Sequence, residues 1–151
     1  DYPFHLLTPH PRYRVHSQLD NTWVRGMYKI QGREPVMINT QDAAKLGIKH
    51  GEVVEVYNKR GSVLAGAFVT DFIREGVVQI QEGAWYDPEN PDDDLPRCNA
   101  GACNVLTSSR PTSRWAQATS VNTCLVGIRK LGKDEAIKPY KASSAPDIIG
   151  A

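Results

Sequence analysis

Apolar residues in this chain come in short runs separated by turn chemistry, and most runs are rich in β-branched side chains. Phe4-His5-Leu6-Leu7 reads as a first strand and residues 34–39 (Glu-Pro-Val-Met-Ile-Asn) as a second. Residues 40–47 then carry a brief helical signature, in which Thr40 can cap, Asp42 sits where the helix dipole favours an acid, and Gly47 supplies a left-handed ending. Residues 53–58 and 62–70 flank Lys59-Arg60-Gly61 and predict a hairpin. Residues 76–81 and 123–129 predict two further strands. Residues 87–97 are rich in Pro, Asp, Glu and Asn without apolar period and read as a surface loop. Several short strands with one brief helix point to a closed β-barrel rather than a helix-layered parallel sheet. There is no internal repeat and no low-complexity tract.

Length changes this picture little: 151 residues, 40% hydrophobic and 23% charged, suit one soluble domain with a real core. Residues 131–151, with Lys, Ser, Pro and Gly in quantity, cannot bury enough to make a core of their own. We expect barrel over residues 1–130 and a C-terminal tail over 131–151 that wraps a neighbouring surface. The chain opens at Asp1 rather than methionine, so we expect one piece of a longer or processed polypeptide, with any export signal upstream.

Charge narrows the partners. Eighteen basic against 17 acidic residues leave a net charge of +1, so no long-range field recruits nucleic acid or an anionic membrane. No apolar run approaches the ~20 residues that cross a bilayer. Cys98, Cys103 and Cys124 fit no zinc pattern, which needs four ligands in close pairs. A Cys98–Cys103 disulfide and two free thiols both fit the spacing.

Candidate chemistry concentrates at residues 8–18, where Thr8, His10, Pro11, Arg12, Arg14, His16, Ser17 and Gln18 follow the first strand without a gap. Arginine offers a forked donor set to phosphate, and histidine and glutamine can read the edges of a heterocycle. The plainer reading is a solvated loop between strands. A second polar stretch, residues 101–123, holds Asn104 and Gln117 among hydroxyls and could likewise meet a heterocycle edge. Its plainer reading is turn chemistry. At residues 82–86, Trp85 and Tyr86 could line a route into a site, but large aromatics at a strand end more often fill a core. Arg33 reads as an exposed charge or an anchor for a neighbouring domain.

Taken in order, Leu6-Leu7-Thr8-Pro9-His10-Pro11, Arg14-Val15-His16-Ser17-Gln18, Gly32-Arg33-Glu34-Pro35, Asp42-Ala43-Ala44, Gly51-Glu52-Val53-Val54, Asn58-Lys59-Arg60-Gly61, Glu82-Gly83-Ala84-Trp85 and Asn104-Val105-Leu106-Thr107 resemble the C-terminal domain of the molybdopterin oxidoreductases. Within that family they are most similar to the branch of trimethylamine N-oxide, dimethyl sulfoxide and biotin sulfoxide reductases. Gly32-Arg33-Glu34-Pro35 and His16-Ser17-Gln18 lean towards the trimethylamine N-oxide reductases. The resemblance implies a mainly β fold, a six-stranded double-psi β-barrel with short helices and an extended C-terminal tail. It implies bis(molybdopterin guanine dinucleotide) molybdenum as the cofactor. Cofactor contacts would fall on Thr8, His10, Pro11, Arg12, His16, Ser17, Gln18, Asn104 and Gln117.

Neither a catalytic residue nor a metal ligand is expected in this chain, because the family's metal-ligating and substrate-facing side chains lie upstream. Expected partners are therefore the upstream domains, a small N-oxide or S-oxide, and a c-type cytochrome donor. The expected location is the periplasm, or the cytoplasm for a biotin sulfoxide reductase. Two alternatives share the barrel elements: a stand-alone double-psi interaction module, and the same domain of a formate dehydrogenase or nitrate reductase. The module reading gains if the two polar loops sit at opposite ends of the barrel.

Overall fold

Alternating β-branched residues build the strands, and a computed structural model describes residues 2–132 and 135. The strands are β1 (Phe4–Leu7), β2 (Pro35–Ile38), β3 (Val53–Asn58), β4 (Gly61–Val69), β5 (Val77–Ile80) and β6 (Cys124–Lys130), with one helix, α1 (Thr40–Leu46), after β2. Strand ends lie within two residues of those predicted. The expected tail falls outside the described residues, apart from Leu131, Gly132 and Glu135.

The six strands close in the order β1-β5-β2-β4-β3-β6. β1 pairs parallel with β5, and β2 parallel with β4; the pairs β1·β6, β3·β4, β2·β5 and β3·β6 are antiparallel. Exchanging β1 with β4, β2 with β5 and β3 with β6 leaves every pairing unchanged. This pseudo-twofold interlock of two halves is the double-psi barrel, and closure removes the exposed sheet edges that invite aggregation. Leu6, Val36, Ile38, Val54, Val56, Val63, Ala65, Ala67, Val78, Ile80 and Val126 are fully buried. At about 1.5–3 kcal/mol per buried aliphatic side chain larger than alanine, this filling is the main favourable contribution to the fold.

Helix α1 is capped one residue earlier than the sequence suggests. Asn39, at φ −61° and ψ 145°, accepts from the backbone N–H of Gln41 at 2.8 Å, so Thr40 is the first helical residue and turns its hydroxyl to Asp71. Gly47 closes the helix at φ +66°, as expected. Asp42 accepts from Gly76 N–H at 2.7 Å and ties the helix to the start of β5. All three cysteines are buried and free.

Candidate functional site

Strand direction places the polar loops. β1 and β5 run parallel with Leu7 beside Gln79, so the segments that leave them, residues 8–34 and 81–102, start from one rim. β6 runs against β1 with Cys124 beside Leu6, so residues 103–123 enter β6 at that same rim. The β3–β4 turn completes it: Asn58 and Arg60 donate to Leu106 O at 2.8 and 2.7 Å. The two polar stretches singled out in the sequence therefore belong to one end of the barrel. Hydrogen bonds tie these segments and their flanks together. Glu34 N–H donates to Ala100 O at 3.1 Å, Thr8 N–H reaches Asn122 Oδ1 at 3.4 Å, and the His5 ring bonds Asn122 O.

The first loop stands over a carboxylate. His10 Nδ1 and His16 Nδ1 lie 2.7 and 2.5 Å from the same Glu82 oxygen, and the two imidazoles meet edge to face at 4.7 Å. The histidine side chains are 80% and 62% exposed against 27% for Glu82, so the carboxylate is beneath and the rings are outward. Burial pushes the Glu82 carboxyl upward, but the hydrogen bonds from His10 and His16 more than offset it and hold it below the ordinary carboxylate range. Among the described residues these three side chains are also the group able to hold a metal ion, their ligand atoms lying within 4.8 Å of one another.

The backbone beneath is fitted as closely. Gly83, at φ +87°, passes so near His16 that a Cβ would overlap its carbonyl and stand 2.9 Å from Ser17 N. Trp85 Nε1 donates to Ser17 O at 2.8 Å, and Glu82 N–H donates to Pro9 O at 3.1 Å. Arg14 lies between the two segments: Nε donates to His16 O at 2.8 Å and Nη2 to Glu82 O at 2.5 Å.

Behind Arg14 is a buried ionic network. Its Nη1 is 3.1 Å from both oxygens of Glu34 and 2.6 Å from the Tyr28 hydroxyl, and Lys29 reaches Asp20 at 2.5 Å and Glu34 at 3.7 Å. Burial raises the Glu34 carboxyl against the pull of Arg14 and Lys29. For Asp20 burial acts upward too, but Lys29 and the Trp85 N–H outweigh it and the carboxyl is lowered. Burial lowers Lys29. For Arg14 burial opposes the charge, and Glu34 more than restores it. Such buried charges are retained only when mutually satisfied.

The remaining candidates are placed less uniformly. Pro11 is buried and Thr8 half-buried, while Ser17 and Gln18 are exposed, Gln18 closing a turn onto Val15 O at 2.8 Å. Arg12 lies over the Tyr13 ring and opens onto a cavity of about 430 Å³ between the first loop and the barrel wall, with Tyr28, Met37, Phe68 and Gln81 also lining it. Asn104 is exposed on a 3₁₀ turn, Cys103–Val105, and Gln117 lines a separate hollow of about 170 Å³ near Arg110. Among the described residues, neither amide hydrogen-bonds to His10 or His16.

Two readings are corrected. Arg33 is 1% exposed, donating from Nη1 to Gln31 O at 3.1 Å, because the loop's return to β2 folds it under. Trp85 and Tyr86 are 39% and 53% exposed and do not fill the core, since Trp85 spends its N–H on the loop above. The sequence reading missed Glu82 as a site-forming residue, and it singled out Arg14 in the polar first loop without counting it among the cofactor contacts. The signal available for Glu82 was its place beside a glycine just past a strand end. Cys103, next to this region, has its thiol pushed up to about 12 by burial, with Glu34 and Glu82 adding to the shift.

A closed double-psi barrel whose one rim presents outward imidazoles, an arginine and exposed amides, braced from behind by a buried ionic network, is the architecture of a barrel domain with one polar, loop-bearing end. The chain belongs to the family described as Molydopterin dinucleotide binding domain, whose sequence profile matches residues 4–125. It is 52% identical over 131 residues to a trimethylamine-N-oxide reductase of Haemophilus influenzae, covering 86% of this chain and 16% of that protein. It is 51% identical over 130 residues to trimethylamine-N-oxide reductase 1 of Escherichia coli K12, covering 85% and 15%. Among solved structures, acetylene hydratase from Pelobacter acetylenicus shares the fold at a TM-score of 0.67 and 16% identity, over 86% of this chain and 18% of that one. The chain thus spans about a sixth of the curated relatives it matches.

Proposed function

We propose that this chain is the cofactor-closing C-terminal portion of a molybdenum reductase acting on trimethylamine N-oxide or a related N- or S-oxide such as dimethyl sulfoxide. The observation that carries the proposal is the shared rim: loop 8–18 and loop 101–123 open at one end of the barrel, where an interaction module would have no need to gather them. The donor set fits the group. Two outward imidazoles and Arg12 suit pyrophosphate and pterin edges, and exposed Asn104 and Gln117 offer paired amide contacts to a guanine.

In this reading His10, His16, Ser17 and Gln18 hold the pterin side and Thr8, Pro11 and Arg12 shape the approach. Asn104 and Gln117 meet the distal heterocycle. Bound bis(molybdopterin guanine dinucleotide) molybdenum would supply the oxygen-atom chemistry, and the protein fixes its position and surroundings. Upstream domains supply the metal's side-chain ligand and face the oxide. Periplasmic location, a role in anaerobic respiration and a c-type cytochrome donor complete the proposal, supported by the relatives' names and by the reductive chemistry those names describe.

The test is His10→Ala/His16→Ala in the full-length enzyme. We expect molybdenum and guanine nucleotide per polypeptide to fall by about tenfold, the scale seen when groups around a bound metal centre are removed. Thermal unfolding of the domain should stay unchanged. Full loading in this variant would overturn the assignment.

A further inference from the structure

Among the described residues, the Glu82 carboxylate is hydrogen-bonded to two imidazoles and to no core side chain. One oxygen takes both Nδ1 atoms, at 2.7 and 2.5 Å, across sequence separations of 72 and 66 residues. An ionised carboxylate only accepts, so each Nδ1 must carry its hydrogen, and each Nε2 is left for an outside partner. We propose that Glu82 is a positioning residue which fixes the tautomer and aim of His10 and His16, and that Arg14 and Gly83 lock Glu82 itself at the required depth. The proposal rests on the cofactor reading above for the identity of the ligand, but the brace is a property of this chain alone.

Three features of the site support it. The carboxylate lies inside, at 27% exposure, with the rings above it at 80% and 62%, so the support runs from barrel to loop. Arg14 bonds the carbonyls of both Glu82 and His16, which couples the carboxylate's backbone to that of one histidine. Gly83 permits an approach to His16 that any Cβ would block, and at φ +87° a side chain would be strained there in any case. Without the brace, two exposed imidazoles would each sample several rotamers and both tautomers, and ordering them would be charged against ligand affinity.

The test uses the full-length enzyme, both loaded and produced in a host unable to make the cofactor, with Glu82→Ala, Glu82→Gln, His10→Ala/His16→Ala and the triple variant. In the unloaded protein, amide hydrogen exchange over residues 8–18 should rise several-fold in Glu82→Ala and much less in Glu82→Gln, which keeps an accepting oxygen at the same reach. In the loaded protein, molybdenum per polypeptide should fall about tenfold in Glu82→Ala, recover largely in Glu82→Gln, and fall no further when Glu82→Ala is added to the histidine pair.

Unchanged exchange in Glu82→Ala overturns the brace, whatever the ligand. Equal losses from Glu82→Ala with and without the histidines also overturn it, since the carboxylate would then act by another route. Reproduction of the Glu82→Ala exchange pattern by a chelator on the unmodified protein would make the trio a metal site and overturn it as well. Normal molybdenum in the histidine pair variant would remove the cofactor reading while leaving the exchange result to judge the brace.

Discussion

At the scale of single residues, the site depends on charges that have no contact with solvent. Asp20 is 1% exposed, takes Lys29 Nζ at 2.5 Å, and accepts the Trp85 N–H at 3.0 Å, thereby joining the ionic network to the segment that carries Glu82. Its carboxyl is lowered when folded, so its contribution to stability is present above the ordinary value of 3.8 and is lost as pH falls through the folded value. Asp20→Asn should therefore destabilise the protein near neutrality by about 3–5 kcal/mol, the scale for removing one partner of a buried pair. The deficit should shrink below about pH 4, towards zero in strong acid. Denaturant unfolding of both proteins between neutrality and pH 3 measures it, and a pH-independent gap would refute the assignment.

This scale also shows where the chain was hardest to read. His10, His16 and Arg12 stand out in the sequence because polar side chains are dense there, whereas Glu82 gains its meaning only from partners 66 and 72 residues away. Arg33 and Trp85 misled for the same reason, since neither the burial of a charge nor the exposure of an indole is visible without the chain that folds over or away from it.

At the scale of elements, the strands were legible because a barrel wall enforces alternation, and a slip of one residue would turn Val36 and Ile38 outward. The capping shift at α1 was not, because Asn39 and Thr40 are both competent caps and the choice falls to Asn39, whose amide also donates to Ile73 O at 2.7 Å. Gly66 in β4 is the element-scale feature that matters most to the site. Its N–H donates to Glu34 O at 3.1 Å, and a Cβ there would overlap Ile30, with Ile30 Cγ2 at 2.7 Å and its carbonyl at 3.0 Å. A glycine within a strand often marks close approach by another backbone, and here that backbone is the return of loop 8–34 into β2. Gly66→Ala should cost about 1–3 kcal/mol by overpacking. It should also raise hydrogen exchange across residues 28–34 while leaving β3 and β6 protected, and protection lost evenly over all six strands would contradict the local account.

At the scale of the whole molecule, the two halves of the barrel share a pairing scheme with no repeat in the sequence to announce it. The pseudo-twofold is fixed by strand order alone, and inward positions need only be apolar and of fitting size. The candidate site breaks that symmetric frame: one rim collects the polar loops, while α1 and the starts of β3 and β5 occupy the other. The same asymmetry bears on what the chain can do by itself. Cys103 is buried with its thiol pushed up to about 12, so the cysteine that feels the charge of Glu82 offers no thiolate to a metal near neutrality. His10 and His16 already share Glu82, and the relatives extend over some six times this length. The 151-residue chain expressed alone should therefore unfold as a cooperative unit yet reduce no trimethylamine N-oxide with reduced viologen as electron source, even with cofactor added. Dye oxidation that depends on the oxide and exceeds the cofactor-only background would move the catalytic machinery into this chain. It would require a metal ligand from the rim, with Glu82 and its two histidines the first groups to substitute.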